Sequence, residues 1–436
     1  MAGSVIAVVG RPNVGKSTLF NRLVKQRLAI VEDTPGVTRD RLYAYGEWLD
    51  RKFLLIDTGG VTDDRDPIQT QIRTQVEMAL EEADAVIMVV DGREPLTASD
   101  HQVASLLRKT KKPLVLAVNK IDNFNMPVDP EVYALGLGEP IFISAEHGKN
   151  IGDLLEAIFA KIPQLEVEED QDYIRVTLAG RPNVGKSSLV NALLGEERVI
   201  VSDQPGTTRD AIDTPLLVND RRYLLVDTAG IRRKSKVDTG VEYYSVLRAL
   251  RAVERSDVVL LVLDATAEIA EQDLKIAGMI REAGKGCIIL VNKWDAVAKD
   301  SGSTAIYTEK LRREIKFLDY APILFVSAKS GQRLSKIIPA VDRVMESYTF
   351  RIATNRLNRL ISEAVALHNP PTNKGRIFKI YYTSQVGVKP PTFLFTVNDQ
   401  DGFHLSYQRY LENQLREYFP FEGTPLKFES TVRNKL

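Results

Sequence analysis

The sequence has few cysteines, few histidines and no long apolar run. Its 436 residues include one cysteine and four histidines, so an internal disulfide is excluded and a reducing compartment is indicated. No apolar stretch approaches the length of a membrane-spanning helix. The first apolar run begins so close to Met1 that we expect no signal peptide. These absences predict a cytoplasmic protein without a membrane span.

The single cysteine lies in an apolar run, Cys287-Ile288-Ile289-Leu290-Val291. This pattern is typical of a buried strand, so we interpret Cys287 as a small core side chain and not as a reactive thiol.

The chain also lacks an excess of charge of one sign, since 58 basic residues balance 58 acidic ones. The balance hides an uneven distribution. Basic against acidic residues number 19 against 23 in residues 1–163, 0 against 5 in 164–172, 27 against 23 in 173–349, and 12 against 7 in 350–436. A polyanionic partner would therefore bind at the basic C-terminal end.

The most informative feature of the chain is an eight-residue motif that occurs twice. Gly-Arg-Pro-Asn-Val-Gly-Lys-Ser stands at 10–17 and again at 180–187, each time between an apolar run and a helical pattern. Strand, glycine-rich loop and helix form the context of a phosphate-binding loop, whose backbone N–H groups and helix N-terminus face phosphate oxygens. Two copies predict two nucleotide sites.

Within each loop, the lysine is expected to reach the β and γ phosphates and the following serine to meet Mg²⁺. The nucleotide-contacting residues predicted from the loops are Gly10, Asn13, Val14, Gly15, Lys16, Ser17 and Thr18, and Gly180, Asn183, Val184, Gly185, Lys186, Ser187 and Ser188.

Four further motifs follow the first loop in the order that a GTPase requires. Thr38, in Pro-Gly-Val-Thr-Arg-Asp, is placed to cover the metal, and Asp57 to hold its ligand shell, while the N–H of Gly60 can sense the γ-phosphate. Asn119, Lys120 and Asp122 form the guanine-selecting motif, because the Asp carboxylate accepts from N1–H and the exocyclic amine, which adenine does not offer. The backbone of Ser144 and Ala145 can meet the guanine O6.

The same series returns after the second loop. Its members are Thr208, Asp227, Gly230, Asn292, Lys293, Asp295, Ser327 and Ala328. The first three stand 170 residues after their counterparts, the Asn-Lys-x-Asp motif 173 and the Ser-Ala pair 183. No position that we identify as contacting nucleotide is missing from either copy, so both copies are expected to be functional.

The fold class predicted from these patterns is α/β. Short apolar strands at 53–56, 85–90, 114–118 and 141–143 alternate with helical patterns, as in doubly wound, mostly parallel sheets. We predict a GTPase domain at 1–163, an acidic linker at 164–172 and a second GTPase domain at 173–349. The linker is interpreted as a solvated connection with no further role. Alternatively, it is long enough to let the two domains change their relative orientation.

Residues 350–436 predict a small α+β domain. A helical pattern over 357–367 ends before Asn369-Pro370-Pro371, strands follow at 377–382 and 392–397 around a loop with Gly387, and a helix at 403–419 and a strand at 426–431 complete the order. This order resembles the KH module, although the segment contains no G-x-x-G, the loop that clamps nucleotide backbones in KH domains. Direct RNA binding and a scaffold role remain equally open.

Taken together, the two Gly-Arg-Pro-Asn-Val-Gly-Lys-Ser loops, the paired Pro-Gly-x-Thr-Arg-Asp segments and the KH-like tail closely resemble the Der (EngA) family of bacterial ribosome-assembly GTPases. The resemblance covers essentially the whole chain. It implies GTP hydrolysis coupled to maturation of the large ribosomal subunit, with ribosomal RNA and assembly factors as partners and a monomeric chain. It also implies potassium stimulation, in which Asn13 and Asn183 help to hold K⁺ beside the phosphates. Alternatively, these asparagines are turn formers.

The catalytic apparatus departs from that of Ras-type enzymes. The place of the water-orienting glutamine holds Val61 in one copy and Ile231 in the other, and an aliphatic side chain cannot hydrogen-bond water. A site that waits for a partner and a self-sufficient site are both open, with Arg39 and Arg209 as alternatives to K⁺ for charge stabilisation.

Two further possibilities concern what nucleotide binding does. The basic run at 231–236 is either a solvated face or an RNA contact gated by nucleotide. The whole chain is either a GTPase or a scaffold that nucleotide toggles with negligible turnover. A tRNA-modifying GTPase is disfavoured because no cysteine follows the second GTPase domain.

Overall fold

The computed structural model describes residues 4–25, 43–49, 51–57, 73, 76–77, 80, 83–123, 129–162, 173–195, 200–201, 213–227, 249–297, 302–370, 372–373 and 376–432. The chain divides into two compact units. The first is Met1–Glu169 with Thr239–Arg251, and the second is Asp170–Asp238 with Ala252–Leu436.

The first unit contains a six-stranded sheet. Its strands are β1 (Ser4–Val9), β2 (Tyr43–Trp48), β3 (Arg51–Asp57), β4 (Ala85–Asp91), β5 (Leu114–Asn119) and β6 (Ile141–Phe142). They lie in the order β2-β3-β1-β4-β5-β6, with β2 antiparallel to β3 and the other neighbours parallel. The helices of this unit include α1 (Lys16–Lys25), α2 (Ala98–Leu107), α3 (Glu131–Ala134) and α4 (Ile151–Lys161).

The predicted parallel strands are confirmed. Every residue of β4 is buried, as expected for a central strand that is covered on both faces. Strand β2 was not predicted. It is an edge strand with the sequence Tyr-Ala-Tyr-Gly-Glu-Trp, which contains no apolar run. The helical spacing of Ile68, Ile72, Val76, Ala79 and Leu80 predicts a further helix. Its described residues 73, 76, 77 and 80 are helical, and the others lie outside the described residues, as does the linker at 164–172.

The second unit repeats this architecture. Its sheet comprises β7 (Tyr173–Ala179), β8 (Ile200–Val201), β9 (Thr214–Val218), β10 (Arg221–Leu225), β11 (Val258–Asp264), β12 (Gly286–Asn292) and β13 (Ile323–Phe325). Their order is β13-β12-β11-β7-β10-β9-β8, with β8 and β9 antiparallel to their neighbours. The accompanying helices are α5 (Lys186–Leu194), α6 (Glu271–Glu282), α7 (Ser303–Glu314) and α8 (Ile337–Thr349). Short 3₁₀ turns are at Trp294–Ala296, Lys316–Leu318 and Leu334–Lys336.

The C-terminal part of this unit confirms the predicted order of elements. Helix α9 (Thr354–Leu367), strands β16 (Ile380–Gly387) and β17 (Thr392–Val397), helix α10 (Leu405–Tyr418) and strand β18 (Lys427–Val432) follow one another. Strand β17 is central, antiparallel to β16 and parallel to β18. A two-residue ladder, β14 (Thr372–Asn373) with β15 (Arg376–Ile377), was not expected.

The prediction of the first C-terminal strand at 377–382 is wrong in its bounds. Strand β16 runs to Gly387, which the sequence pattern places in the loop. The sequence does not show this because β16 is an edge strand with irregular register at Ile380/Tyr382 and Gln385/Gly387. Gln385, a polar residue, is retained in the strand because its side chain donates to the Phe350 carbonyl and accepts from the Ile352 amide.

The KH-like part is joined to the preceding part of the same unit by backbone hydrogen bonds. Cys287 N–H donates to the Gly423 carbonyl at 2.8 Å, Gly423 N–H to the Tyr320 carbonyl at 2.9 Å, and Lys389 N–H to the Tyr348 carbonyl at 3.0 Å. The Cys287 thiol is fully buried and burial raises its pKa to about 12, which confirms a core role for this cysteine. Among the described residues, no helix has the length and apolar character needed to cross a membrane.

We expect Gly423→Ala to destabilise the second unit by about 2 to 4 kcal/mol, because Gly423 has a left-handed φ of 68° and an added Cβ would lie 2.3 Å from Val344 Cγ2. Gly331 is the matched control, since its φ is 73° and nothing lies within 4 Å of an added Cβ. Gly331→Ala should cost only about 1 to 2 kcal/mol.

The measurement is guanidinium unfolding followed by the fluorescence of Trp294 in a Trp48→Phe background. These are the two tryptophans of the chain. Equal unfolding midpoints for the two alanine variants would contradict the steric account of Gly423.

Candidate functional site

Each phosphate loop passes so close to a neighbouring strand that only glycine fits at its start. A Cβ on Gly10 would lie 2.3 Å from the Val89 carbonyl oxygen, and one on Gly180 would lie 2.5 Å from that of Val262. Their φ values are +152° and +154°. The first glycine of the motif is thus required by the approach of the loop to β4 or β11.

The two motif lysines are held in the same way. Lys16 Nζ donates to the carbonyls of Gly10 and Arg11, both at 2.8 Å. Lys186 Nζ donates to those of Gly180 and Arg181, at 2.6 and 2.8 Å. An ammonium group has three N–H donors, so each lysine keeps one donor to offer to a phosphate oxygen.

Burial makes both ammonium groups easier to deprotonate than exposed lysines. It lowers the pKa of Lys16, where the Asp57 carboxylate acts in the opposite direction. It lowers the pKa of Lys186 to about 8, against a smaller raising effect of Asp273. A bound phosphate anion favours the charged form of either lysine.

An asparagine amide connects three parts of each site. In the first unit, Asn119 Nδ2 donates to the Val14 carbonyl and Asn119 Oδ1 accepts from the Ala145 amide, both at 2.9 Å. In the second, Asn292 makes the same bonds to Val184, at 2.9 Å, and Ala328, at 3.1 Å. The end of β5 or β12 is therefore linked both to the phosphate loop and to the predicted base-contacting loop.

The asparagine explains the second glycine of the loop. A Cβ on Gly15 would lie 2.3 Å from Asn119 Nδ2, and one on Gly185 would lie 2.3 Å from Asn292 Nδ2. Both glycines also have left-handed φ values, +93° and +98°. A side chain at either position would separate the asparagine from the phosphate loop.

The predicted guanine-selecting carboxylates lie beside the Ser-Ala loops. Ser144 Oγ donates to Asp122 Oδ1 at 2.7 Å, and Ser327 Oγ donates to Asp295 Oδ1 at 2.5 Å. The Ser144 hydrogen bond is the main cause that lowers the pKa of Asp122, and Arg93 lowers it further. The carboxylate is ionised and fit to accept hydrogen bonds from a base edge. A cleft lined by Gly15, Thr18, Arg93, Asn119, Lys120, Asp122, Ser144 and Glu146 lies next to it.

The motif lysines after the asparagines make an equivalent contact in both copies. Lys120 Nζ lies 2.5 Å from Asp91 Oδ2, and Lys293 Nζ lies 2.5 Å from Asp264 Oδ2. Both lysines have a left-handed φ, 69° and 61°. These ion pairs fix each lysine against the end of β4 or β11.

The predicted metal ligands in the first unit are close together. Ser17 Oγ donates to Asp57 Oδ2 at 2.9 Å, and hydroxyl and carboxylate oxygens are the donors that Mg²⁺ prefers. In the second unit, the Asp227 amide donates to Asp213 Oδ1 at 3.0 Å, and Arg255 lies 2.5 Å from the other oxygen of Asp213. The residues present in the first unit thus fit a magnesium ion.

The backbone conformation explains the asparagine at the fourth position of each phosphate loop. Asn13 and Asn183 have left-handed φ values of 66° and 64°, a conformation in which asparagine is enriched. The turn-forming role is therefore supported, and the potassium role stays a prediction.

An ion pair that the sequence did not predict holds the arginine of each phosphate loop. Arg11 Nε lies 3.2 Å from Asp100 Oδ2, and Arg181 Nε lies 3.2 Å from Asp273 Oδ2, with both carboxylates buried. The signal was available, because both acidic residues occupy the third position of the helix that follows β4 or β11.

Another missed residue, Arg22, occurs in the first unit only. Its guanidinium donates to the carbonyls of Ala145, at 2.9 Å, and Glu146, and the corresponding residue in the second copy is Ala192. At this position, only the first copy therefore has a side chain that can donate hydrogen bonds to the Ser-Ala loop.

Several predicted site residues lie outside the described residues. They are Thr38, Arg39, Gly60 and Val61 in the first copy and Thr208, Arg209, Gly230, Ile231 and the basic run at 231–236 in the second. Their predicted roles stay predictions.

The described geometry is that of two sites for a phosphorylated nucleotide, and comparison with known proteins agrees. A family model described as "50S ribosome-binding GTPase" matches residues 5–120 and 175–293. A second model, described as the C-terminal KH-domain-like part of EngA bacterial GTPase enzymes, matches residues 351–430.

Full-length relatives carry the same arrangement. The chain is 54% identical to the GTPase Der of Caldanaerobacter subterraneus subsp. tengcongensis, over 100% of both chains. It is 56% identical to the GTPase Der of Halalkalibacterium halodurans, again over 100% of both chains.

The lowered pKa of Lys186 predicts a pH-dependent affinity at the second site. Because bound phosphate favours the charged ammonium, nucleotide binding takes up a proton once Lys186 is neutral in the free chain. GDP affinity at this site should therefore fall as pH rises through about 8, by at most about tenfold per pH unit. Calorimetry from about pH 7 to 9 measures the fall.

The control variant is Lys186→Arg, whose guanidinium stays charged throughout this range. Its second site should lose the pH dependence. An identical pH profile in the two proteins would show that Lys186 does not titrate on binding.

Proposed function

The chain belongs to the GTPase Der family, and we propose that its two sites bind and hydrolyse GTP with Mg²⁺ during maturation of the large ribosomal subunit. The observation that carries this proposal is that the same lysine and asparagine contacts are repeated in both units.

In this proposal the lysines act on the phosphates. Lys16 and Lys186 each offer the remaining N–H donor to the β and γ phosphates, where negative charge develops as the terminal phosphoryl group leaves. Their fixed position between two backbone carbonyls supports the assignment, because little reorganisation is then needed during the reaction.

Magnesium binding is assigned to Ser17 and Asp57, and to Ser187 and Asp227, with Thr38 and Thr208 completing the set. When bound, Mg²⁺ neutralises charge on the β and γ phosphates. The Ser17–Asp57 contact of 2.9 Å supports this assignment in the first site. Gly60 and Gly230 are proposed to contact the γ-phosphate through their amides.

Guanine selection is assigned to Asp122 and Asp295. Their carboxylates can accept two hydrogen bonds from guanine, and the serine that holds each one leaves carboxylate capacity for the base. The asparagines contribute by keeping the phosphate loop and the base loop at a fixed separation. Each asparagine Nδ2 also has a second N–H, which can be directed to the base.

We further propose that K⁺ assists hydrolysis, with Asn13 and Asn183 among its ligands. Val61 and Ile231 stand where Ras-type enzymes have the water-orienting glutamine, so orientation of the attacking water has to come from another group. Stabilisation of the charge on the leaving group is a separate requirement. A cation beside the β and γ phosphates supplies it, as an arginine finger does in other GTPases.

Replacing K⁺ with Na⁺ at constant ionic strength should lower the steady-state GTPase rate by at least about tenfold, because electrostatic stabilisation of phosphoryl transfer is worth that much or more. The rate is measured as phosphate release. Asn13→Ala with Asn183→Ala serves as the matched variant and should be insensitive to the exchange. Equal wild-type rates in the two salts would remove K⁺ from the mechanism.

The ribosomal part of the proposal rests on the family and on charge. One matching family model is described as a ribosome-binding GTPase, and the KH-like segment carries 12 basic against 7 acidic residues. We propose that nucleotide state controls docking of the chain on ribosomal RNA in the cytoplasm. Assembly factors as further partners, and a monomeric chain, belong to the same proposal.

Sedimentation with purified large-subunit particles tests this role. The chain should sediment with them in a non-hydrolysable GTP analogue and remain unbound in GDP, while Lys16→Ala and Lys186→Ala should weaken the nucleotide effect. Equal sedimentation in both nucleotides would contradict nucleotide-controlled docking.

GTPase turnover with and without the particles separates the enzyme from its alternative. A nucleotide-toggled scaffold predicts negligible hydrolysis in both cases, whereas the proposed function predicts measurable hydrolysis in at least one.

A further inference from the structure

One of the differences between the two base-binding regions lies two residues after β4 and β11. Asp91, Lys120 and Asp122 correspond to Asp264, Lys293 and Asp295, each 173 residues later. By the same offset Arg93 corresponds to Thr266. The two sites thus share these three charged groups, and at this position only the first site has a cation.

Arg93 contacts the base-binding region of the first site at three points. Its backbone amide donates to Asp91 Oδ1 at 2.9 Å, and its Nε donates to the Lys120 carbonyl at 3.1 Å. Its Nη2 donates to Asp122 Oδ2. The guanidinium therefore lies over the Asn-Lys-x-Asp motif and lines the same cleft as Asp122.

The other groups that face the Asp122 side chain leave Oδ2 to Arg93. Ser144 Oγ donates to Oδ1 at 2.7 Å, and His147 Nε2 lies 3.7 Å from Oδ1. Lys149 Nζ donates to the Asp122 backbone carbonyl and not to its carboxylate. A guanine base needs this carboxylate for its N1–H and exocyclic amine, so base and arginine seek the same acceptor.

Thr266 makes a different contact in the second site. Its hydroxyl and its amide both donate to Asp264 Oδ1, at 2.6 and 2.9 Å. A threonine also has no cationic group with which to pair a carboxylate. The position can therefore compete for the base-reading carboxylate only in the first site.

We propose that Arg93 is a specificity-determining residue that competes with guanine for the Asp122 carboxylate and so weakens guanine nucleotide binding at the first site. This rests on the proposed role of Asp122 as the guanine-reading group. The consequence is that the affinity of the first site for guanine nucleotides is lower than its other contacts would give.

The test uses the full chain carrying Asp295→Asn, which switches the second site toward xanthosine nucleotides and leaves the first for GDP. Arg93→Thr installs the residue of the second copy. It should tighten GDP binding at the first site by about 2- to 5-fold, the range expected for an ion pair as exposed as this one. Calorimetric titration with GDP measures the change. Unchanged or weaker binding would overturn the inference, and weaker binding would place Arg93 on the nucleotide.

A charge control and a double variant exclude other causes. Arg108 is an exposed arginine at the C-terminal end of α2, and Arg108→Thr removes the same charge and should leave GDP binding unchanged. In the Asp122→Asn chain the ion pair is absent, so Arg93→Thr should not alter the binding of xanthosine diphosphate at the first site. A similar gain in that background would show that Arg93 does not act through Asp122.

Failure of the proposed function looks different from failure of this inference. If Asp122→Asn does not switch the first site from guanosine to xanthosine nucleotides, the guanine-reading role of Asp122 is wrong. If that switch occurs but Arg93→Thr has no effect, only the competition by Arg93 is wrong.

Discussion

The amide of one asparagine at the end of a central strand is the contact on which each site depends. Asn119 and Asn292 join the phosphate loop to the base-contacting loop through two hydrogen bonds each. Because neither loop has regular secondary structure, this bridge helps to hold the two loops at a fixed separation. The approach of the asparagine in turn requires glycine at positions 15 and 185. The asparagine thus connects the predicted base-contacting loop to the phosphate loop. It also explains why the phosphate loop has glycine at its sixth position.

The duplication shows which features the site needs and which can vary. Lysines held by two carbonyls, asparagine bridges, serine-held aspartates and the Arg11–Asp100 type of ion pair occur in both units at similar distances. Arg22 and Arg93 occur in the first unit alone. The contacts common to both units build each site, whereas the proposed competition by Arg93 concerns the first site.

Much of the fold was predictable because central strands are apolar throughout and phosphate loops have a fixed sequence context. Edge strands were not: β2 and β16 have polar residues and pair on one side only, so periodicity gave no signal for Tyr43–Trp48 and misplaced Ile380–Gly387. The site residues could be named from motifs, but the contacts of Arg22 and Arg93 depend on how separate loops meet, which spacing along the chain does not reveal.

The chain should have two guanine sites, and each should depend on the hydrogen bonds of its own asparagine. Counting the bound nucleotides tests this most directly. Calorimetric titration of the full chain with GDP should give two equivalents bound, and Asn119→Ala or Asn292→Ala should each leave one high-affinity equivalent. A single equivalent in the unaltered chain, or two of unchanged affinity in either variant, would contradict it.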